Sequence, residues 1–95
     1  MNSDKTRGAA TLSGDAALYL RSNCGHSRRA SLALDNLHLR AVVPVHNISD
    51  DTDAEARLLK LGGKSQAPCL VLDGKALYEA TDITRTLAER VAPVG

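Results

Sequence analysis

Ala16-Ala17-Leu18-Tyr19-Leu20, then Arg21-Ser22-Asn23, then Cys24-Gly25-His26-Ser27 opening the run Arg28-Arg29-Ala30-Ser31-Leu32-Ala33-Leu34-Asp35-Asn36-Leu37, is the stretch that decides the fold. Five apolar residues make a strand of ordinary length, and the polar triplet behind them reads as a turn. From Ser27 onward Ala30, Ala33, Leu34 and Leu37 form one helical stripe, while Arg28, Arg29 and Asp35 take the other faces. A buried strand therefore feeds a helix, with Cys24 at the junction. A helix N-terminus stabilises negative charge, and Arg21, His26, Arg28 and Arg29 add cationic character, so Cys24 is placed to ionise near neutrality. Taken alone, such a cysteine also fits a half-buried residue at the end of a loop.

Downstream, Arg40-Ala41-Val42-Val43-Pro44-Val45 is short and β-branched, and Pro44 cannot donate to a ladder, which predicts an edge strand. Strand, helix and strand in succession imply a parallel pair with a right-handed crossover. Ser49-Asp50-Asp51-Thr52-Asp53 gathers capping and acidic residues ahead of Ala54, Leu58 and Leu61, a second helix that ends at Gly62-Gly63. Pro68-Cys69-Leu70-Val71-Leu72 and Lys75-Ala76-Leu77-Tyr78 flank Asp73-Gly74, a hairpin signal. Thr81-Asp82 caps a last helix carrying Ile83, Leu87 and Val91, which Pro93 and Gly95 end. Residues 1–14 are polar and aperiodic and read as a disordered leader, leaving 15–95 as one domain. The predicted order is β-α-β-α-β-β-α: an α/β fold with a four-stranded mixed sheet flanked by three helices.

With 95 residues and 43% apolar content, the chain suits one core. Its net charge of +1, from 12 basic and 11 acidic side chains, supplies no field for nucleic acid or an anionic membrane. The two aromatic residues, Tyr19 and Tyr78, lie outside basic runs, which argues against base stacking. No stretch approaches the roughly 18 apolar residues of a bilayer span, and the N-terminus lacks the apolar core of a secretory signal. The expectation is a soluble, cytoplasmic protein with no nucleic-acid or membrane partner. In a reducing compartment Cys24 and Cys69 are not a disulfide scaffold.

Cys24-Gly25-His26-Ser27 after the first strand, Ala67-Pro68 opening the third, and Tyr78-Glu79-Ala80-Thr81-Asp82-Ile83 before the last helix together resemble the glutaredoxins, and equally the N-terminal domain of glutathione transferases. The similarity runs from about Ala16 to Arg90. It implies a thioredoxin-like fold and glutathione as co-substrate. In family terms the first motif is the monothiol form Cys-x-x-Ser, with Ser27 in place of a second cysteine. The chemistry implied is attack by Cys24 on a mixed disulfide, then release by a second glutathione. Ser27 either donates a hydrogen bond to the thiolate or is simply a first-turn residue.

The same resemblance implies a cis peptide before Pro68, with the Ala67 backbone pairing with the cysteinyl part of glutathione as a minimal strand addition; otherwise Pro68 merely begins a strand. For the γ-glutamyl end it offers Glu79, Thr81 and Asp82, with backbone N–H groups of Ala80 and Thr81 receiving the carboxylate. Transferases usually carry Glu-Ser here and glutaredoxins Gly-Gly before the acidic pair. Tyr78-Glu79-Ala80 departs from both, and Thr81 and Asp82 serve equally as a helix cap. Arg21 and Lys64 match basic positions that the family uses near the glycyl carboxylate, and each is also an ordinary solvated charge. Cys69, next to Pro68, is expected in the core, the alternative being a resolving thiol for Cys24. His26 either tunes the thiolate or contacts a substrate, or is a plain exposed histidine.

The function that follows is that of a monomeric, glutathione-dependent thiol–disulfide oxidoreductase acting on glutathionylated proteins or small disulfides, with no metal in its own ligand set. One alternative is a [2Fe-2S] cluster shared by two protomers with glutathione, as in monothiol glutaredoxins with Cys-Gly-Phe-Ser. The present motif differs from theirs only at its third position, but the chain has no tryptophan and so lacks their Trp-Pro segment. Another is a non-catalytic binding module on the same fold.

Overall fold

The strand and helix of the opening stretch lie at the centre of the molecule. In a computed structural model, which describes residues 10–93, the chain runs β1 (Ala10–Leu12), β2 (Ala16–Leu20), α1 (Gly25–Asn36), β3 (Val45–Asn47), α2 (Thr52–Gly62), β4 (Cys69–Leu72), β5 (Lys75–Leu77), α3 (Ala80–Arg90) and β6 (Val91–Pro93). Four strands form a mixed sheet in the order β3-β2-β4-β5, with β2 and β3 parallel and the other pairs antiparallel. Alternation along the strands sorts the side chains. Leu18, Leu70 and Leu72 face Ala30 and Leu34 of α1 and Ile83 and Leu87 of α3. Tyr19, Cys69 and Val71 face Ala54 and Leu58 of α2 on the other side. The expected α/β, thioredoxin-like fold with three helices is present.

The predicted strand over residues 40–45 is displaced, and β3 begins only at Val45. His38 takes a left-handed backbone (φ 58°), and the N–H groups of Val42 and Val43 both donate to the Leu39 carbonyl at 3.0 Å, folding 39–43 into a turn that buries Leu39 and Val43. Pro44 has no N–H to give, but its carbonyl accepts from Leu18 at 2.9 Å and leads into the strand. Its edge position is as expected. Two ends of α2 match their signals: the Asp51 carboxylate accepts from the Ala54 N–H at 3.0 Å, and Gly63 closes the helix with φ 82° and an N–H bond to Leu59. At the hairpin Asp73 and Gly74 both have positive φ, as a two-residue turn of this hand requires.

The last helix starts earlier than predicted. Glu79, not Thr81 or Asp82, is the N-cap, its carbonyl accepting from Ile83 at 2.8 Å, because Ala80 is itself buried. Val91, expected in that helix, instead enters β6, which pairs antiparallel with β1 in the register Ala10↔Pro93, Thr11↔Ala92, Leu12↔Val91. The expected leader over 1–14 therefore gives way to structure at residues 10–12, where Leu12 and Val91 pack against the larger core cluster. Residues 1–9, and the Gly95 stop signal, lie outside the described residues.

Candidate active site

Cys24 is the N-cap of α1, with extended backbone (φ −123°, ψ 120°) and its carbonyl accepting from the Arg28 N–H at 3.0 Å. The free N–H groups of the first turn therefore point toward its half-buried sulfur. Ser27, one turn on, is buried, and its Oγ accepts from the Arg21 N–H at 3.0 Å. The Cys24 pKa is lowered first by the Ser27 hydroxyl, then by the Ser27 backbone N–H, with smaller help from the His26 N–H and the Arg21 charge, while burial opposes the shift. The Ser27 hydroxyl and the first-turn N–H groups, both offered by the sequence argument, thus do more than the cations that it added to them.

A second network fixes the turn before the cysteine. Ser22 N–H donates to Ser49 Oγ at 3.0 Å, Asn47 Nδ2 donates to Ser22 Oγ at 2.9 Å, and Ser49 N–H donates to Asn47 Oδ1 at 2.9 Å. Asn23 sits between this network and Cys24 with φ 56°, a conformation asparagine tolerates. Sequence reading passed over Asn47 and saw Ser49 only as a capping residue, since nothing local signals a partner 27 residues away.

The Ala67–Pro68 peptide is cis, as the resemblance implied. A hollow of about 180 Å³ is lined by His26, Gln66, Ala67, Pro68, Tyr78, Glu79 and Ala80. A neighbouring hollow of about 240 Å³ is lined by Arg21, Cys24, Ser27, Arg28, Leu32 and Asn47, among others. Four expected glutathione-site residues, Ala67, Pro68, Glu79 and Ala80, are thus gathered in one place with His26, and Cys24, Ser27 and Arg21 line the other hollow. The remaining three lie outside both hollows. Thr81 is exposed on the first turn of α3, and Asp82 is paired with Arg85 at 2.6 Å. Lys64 holds its ammonium 4.6 Å from the centroid of the Tyr78 ring.

Tyr78 is the site residue whose packing sequence reasoning missed. Its hydroxyl donates to the Lys64 carbonyl at 3.4 Å and occupies the space that a Cβ on Gly62 would need. It also meets the Cys69 sulfur. Cys69 is fully buried, and burial pushes its thiol up to about 11, with Tyr78 opposing. Both cysteines are free thiols. Among the described residues no three His, Cys, Asp or Glu side chains converge as a metal site, and no helix is long and apolar enough to cross a membrane.

The family model for the glutathione S-transferase N-terminal domain matches residues 23–90, the span from the turn before Cys24 to the end of α3. The chain belongs to that family. Solved structures agree on the thioredoxin-like fold. A glutathione S-transferase, unclassified 2, from Bombyx mori superposes with a TM-score of 0.67 at 23% identity, over 79% of this chain and 35% of its own. Oxidized glutaredoxin 2 from Chlamydomonas reinhardtii gives 0.58 at 22% identity, over 82% and 75% respectively. A dithiolic glutaredoxin from Trypanosoma brucei brucei gives 0.58 at 11% identity, over 95% and 94%. The present chain therefore spans about a third of the transferase it resembles and nearly all of that glutaredoxin. No curated protein sequence matches it.

Proposed function

We propose that this chain binds glutathione and reduces glutathionylated proteins or small mixed disulfides by a monothiol mechanism. The observation that carries this reading is a cysteine at a helix N-cap, acidified by a buried serine hydroxyl, two residues before a histidine that lines one hollow with Ala67 and the cis Pro68. The Cys24 thiolate attacks the glutathione sulfur of a mixed disulfide; that S–S bond breaks, and its electron pair leaves on the product thiolate, which takes a proton from solvent. A second glutathione thiolate then attacks the glutathione sulfur of the Cys24 adduct, releasing glutathione disulfide and regenerating the Cys24 thiolate. Glutathione is the reductant throughout, so no second protein thiol is needed.

Binding follows from the same hollow. The Ala67 backbone pairs with the cysteinyl unit of glutathione, as an added strand would. The N–H groups of Ala80 and Thr81, unpaired within α3, receive the γ-glutamyl carboxylate, and Glu79 faces the amine. We read the protein as a monomer of a reducing compartment such as the cytoplasm, where the glutathione pool supplies the second thiol. The deciding experiment is glutathione-dependent reduction of a small glutathionyl mixed disulfide. Activity abolished by Cys24→Ser and retained by Cys69→Ser is the expected result, and activity that survives Cys24→Ser overturns it.

A further inference from the structure

Arg21 and Lys64, the two cations that the family resemblance assigns to the glycyl carboxylate, are both engaged with the chain itself, Arg21 at Ser65 and Lys64 at Tyr78. Arg21 Nη2 donates to the Ser65 carbonyl at 2.8 Å, joining segments 44 positions apart. The Lys64 ammonium lies over the Tyr78 ring, and the Tyr78 hydroxyl donates back to the Lys64 carbonyl at 3.4 Å. Residues 64–68 belong to no helix or strand, yet they deliver Ala67 to the hollow that His26 lines. This stretch is thus tied on one side to the segment that carries Cys24 and on the other to the segment that opens α3. The Arg21 backbone N–H in turn holds the Ser27 hydroxyl that acidifies Cys24.

We propose that Arg21 is a positioning residue: its guanidinium straps Ser65 and so sets the span between Cys24 and the Ala67 backbone, and it is not the ligand of the glycyl carboxylate. A guanidinium–carbonyl bond is charge-assisted, and an ordered wall removes part of the entropy that closing a floppy one onto a ligand would cost. The affinity consequence rests on the glutathione reading above; the ordering of residues 65–66 does not.

Two measurements on the full chain, using Arg21→Met and Arg21→Lys, decide it. Without ligand, the backbone order parameters of Ser65 and Gln66 should fall in Arg21→Met from the rigid range near ~0.85 toward ~0.6, with partial recovery in Arg21→Lys. With ligand, S-methylglutathione and γ-glutamyl-S-methylcysteine, neither able to exchange and the second lacking the glycyl unit, should both bind about three- to tenfold more weakly to Arg21→Met. A loss confined to S-methylglutathione makes Arg21 a carboxylate ligand and overturns the strap, as do unchanged order parameters. If wild-type protein binds neither compound while Arg21→Met still loosens residues 65–66, the strap stands and the glutathione reading falls.

Discussion

Two sulfurs in one small domain meet opposite environments, and the contrast is measurable residue by residue. Ser27 holds the Cys24 thiol below its ordinary pKa, through its hydroxyl first and its backbone N–H second, so alkylation by iodoacetamide should titrate below the ordinary thiol range. Ser27→Ala removes the larger of those two influences and should move that titration up and slow alkylation at pH 7 severalfold, whereas Ser27→Thr, which keeps a hydroxyl, should recover most of the rate. Cys69 is fully buried and its thiol is pushed up to about 11. At pH 7 it should react at least about a hundredfold more slowly than Cys24. Because folded Cys69 keeps its proton where the unfolded thiol has lost it, stability should fall as pH rises from the ordinary thiol range toward about 11, by up to ~2 kcal/mol. Urea melts of wild type and Cys69→Ala across that window check the sign, the variant's profile being the flatter. Cys24 and Ser27 were legible in the sequence because their relation is one helical turn. The partner of Arg21 was not, since Ser65 lies 44 positions away on a loop whose course local pattern does not specify.

Elements here begin and end where a specific side chain or backbone angle stops them. Asp51 caps α2 through the Ala54 N–H, and Asp51→Ala should cost about 1 kcal/mol in chemical denaturation. At the other end of that helix, Gly62 leaves room for the Tyr78 hydroxyl. Gly62→Ala must displace a ring that also touches Lys64 and Cys69, and should cost about 1–3 kcal/mol despite the better helix propensity of alanine; Gly62→Ala combined with Tyr78→Ala should not show that extra loss. Thermal melts of the two variants separate the clash from simple propensity. The caps of α2 and the turn at Asp73-Gly74 were readable because each is written within a few residues. The start of β3 was not: Val42 and Val43 carry strand-like chemistry, but the drive to bury Leu39 and Val43 folds them into a turn, and the strand waits until after Pro44. The early start of α3 has the same cause, burial of Ala80 winning over the capping chemistry of Thr81 and Asp82.

In the whole molecule, the hollow lined by Ala80 and the β1–β6 ribbon lie at opposite ends of α3. Ala16 pairs with Leu72 beside the Asp73 turn, and Leu20 leads away from it toward Cys24. Arg90, at the last turn of α3, bonds both Ser13 and Asp73, whereas the first turn of that helix borders the hollow about 15 Å away. Deleting residues 1–12 should therefore lower the melting temperature, through loss of the Leu12 contact with the core, and leave the alkylation rate of Cys24 unchanged. The parallel β2–β3 pair and the antiparallel β4–β5 hairpin of the main sheet followed from the sequence, because a β-α-β unit and the Asp73-Gly74 turn are each written locally. The ribbon did not, for its two halves are about as far apart as the chain allows and the first is only three residues long. Its register has a mechanical side. Strain applied through the chain flanking Ala10 and Pro93 falls on that pair first, then on Thr11 with Ala92, and only then on Leu12 with Val91. Bonds loaded one after another peel like a zip rather than shear together, so a gentle pull would strip the ribbon away while the four-stranded sheet and Cys24 felt almost none of the force.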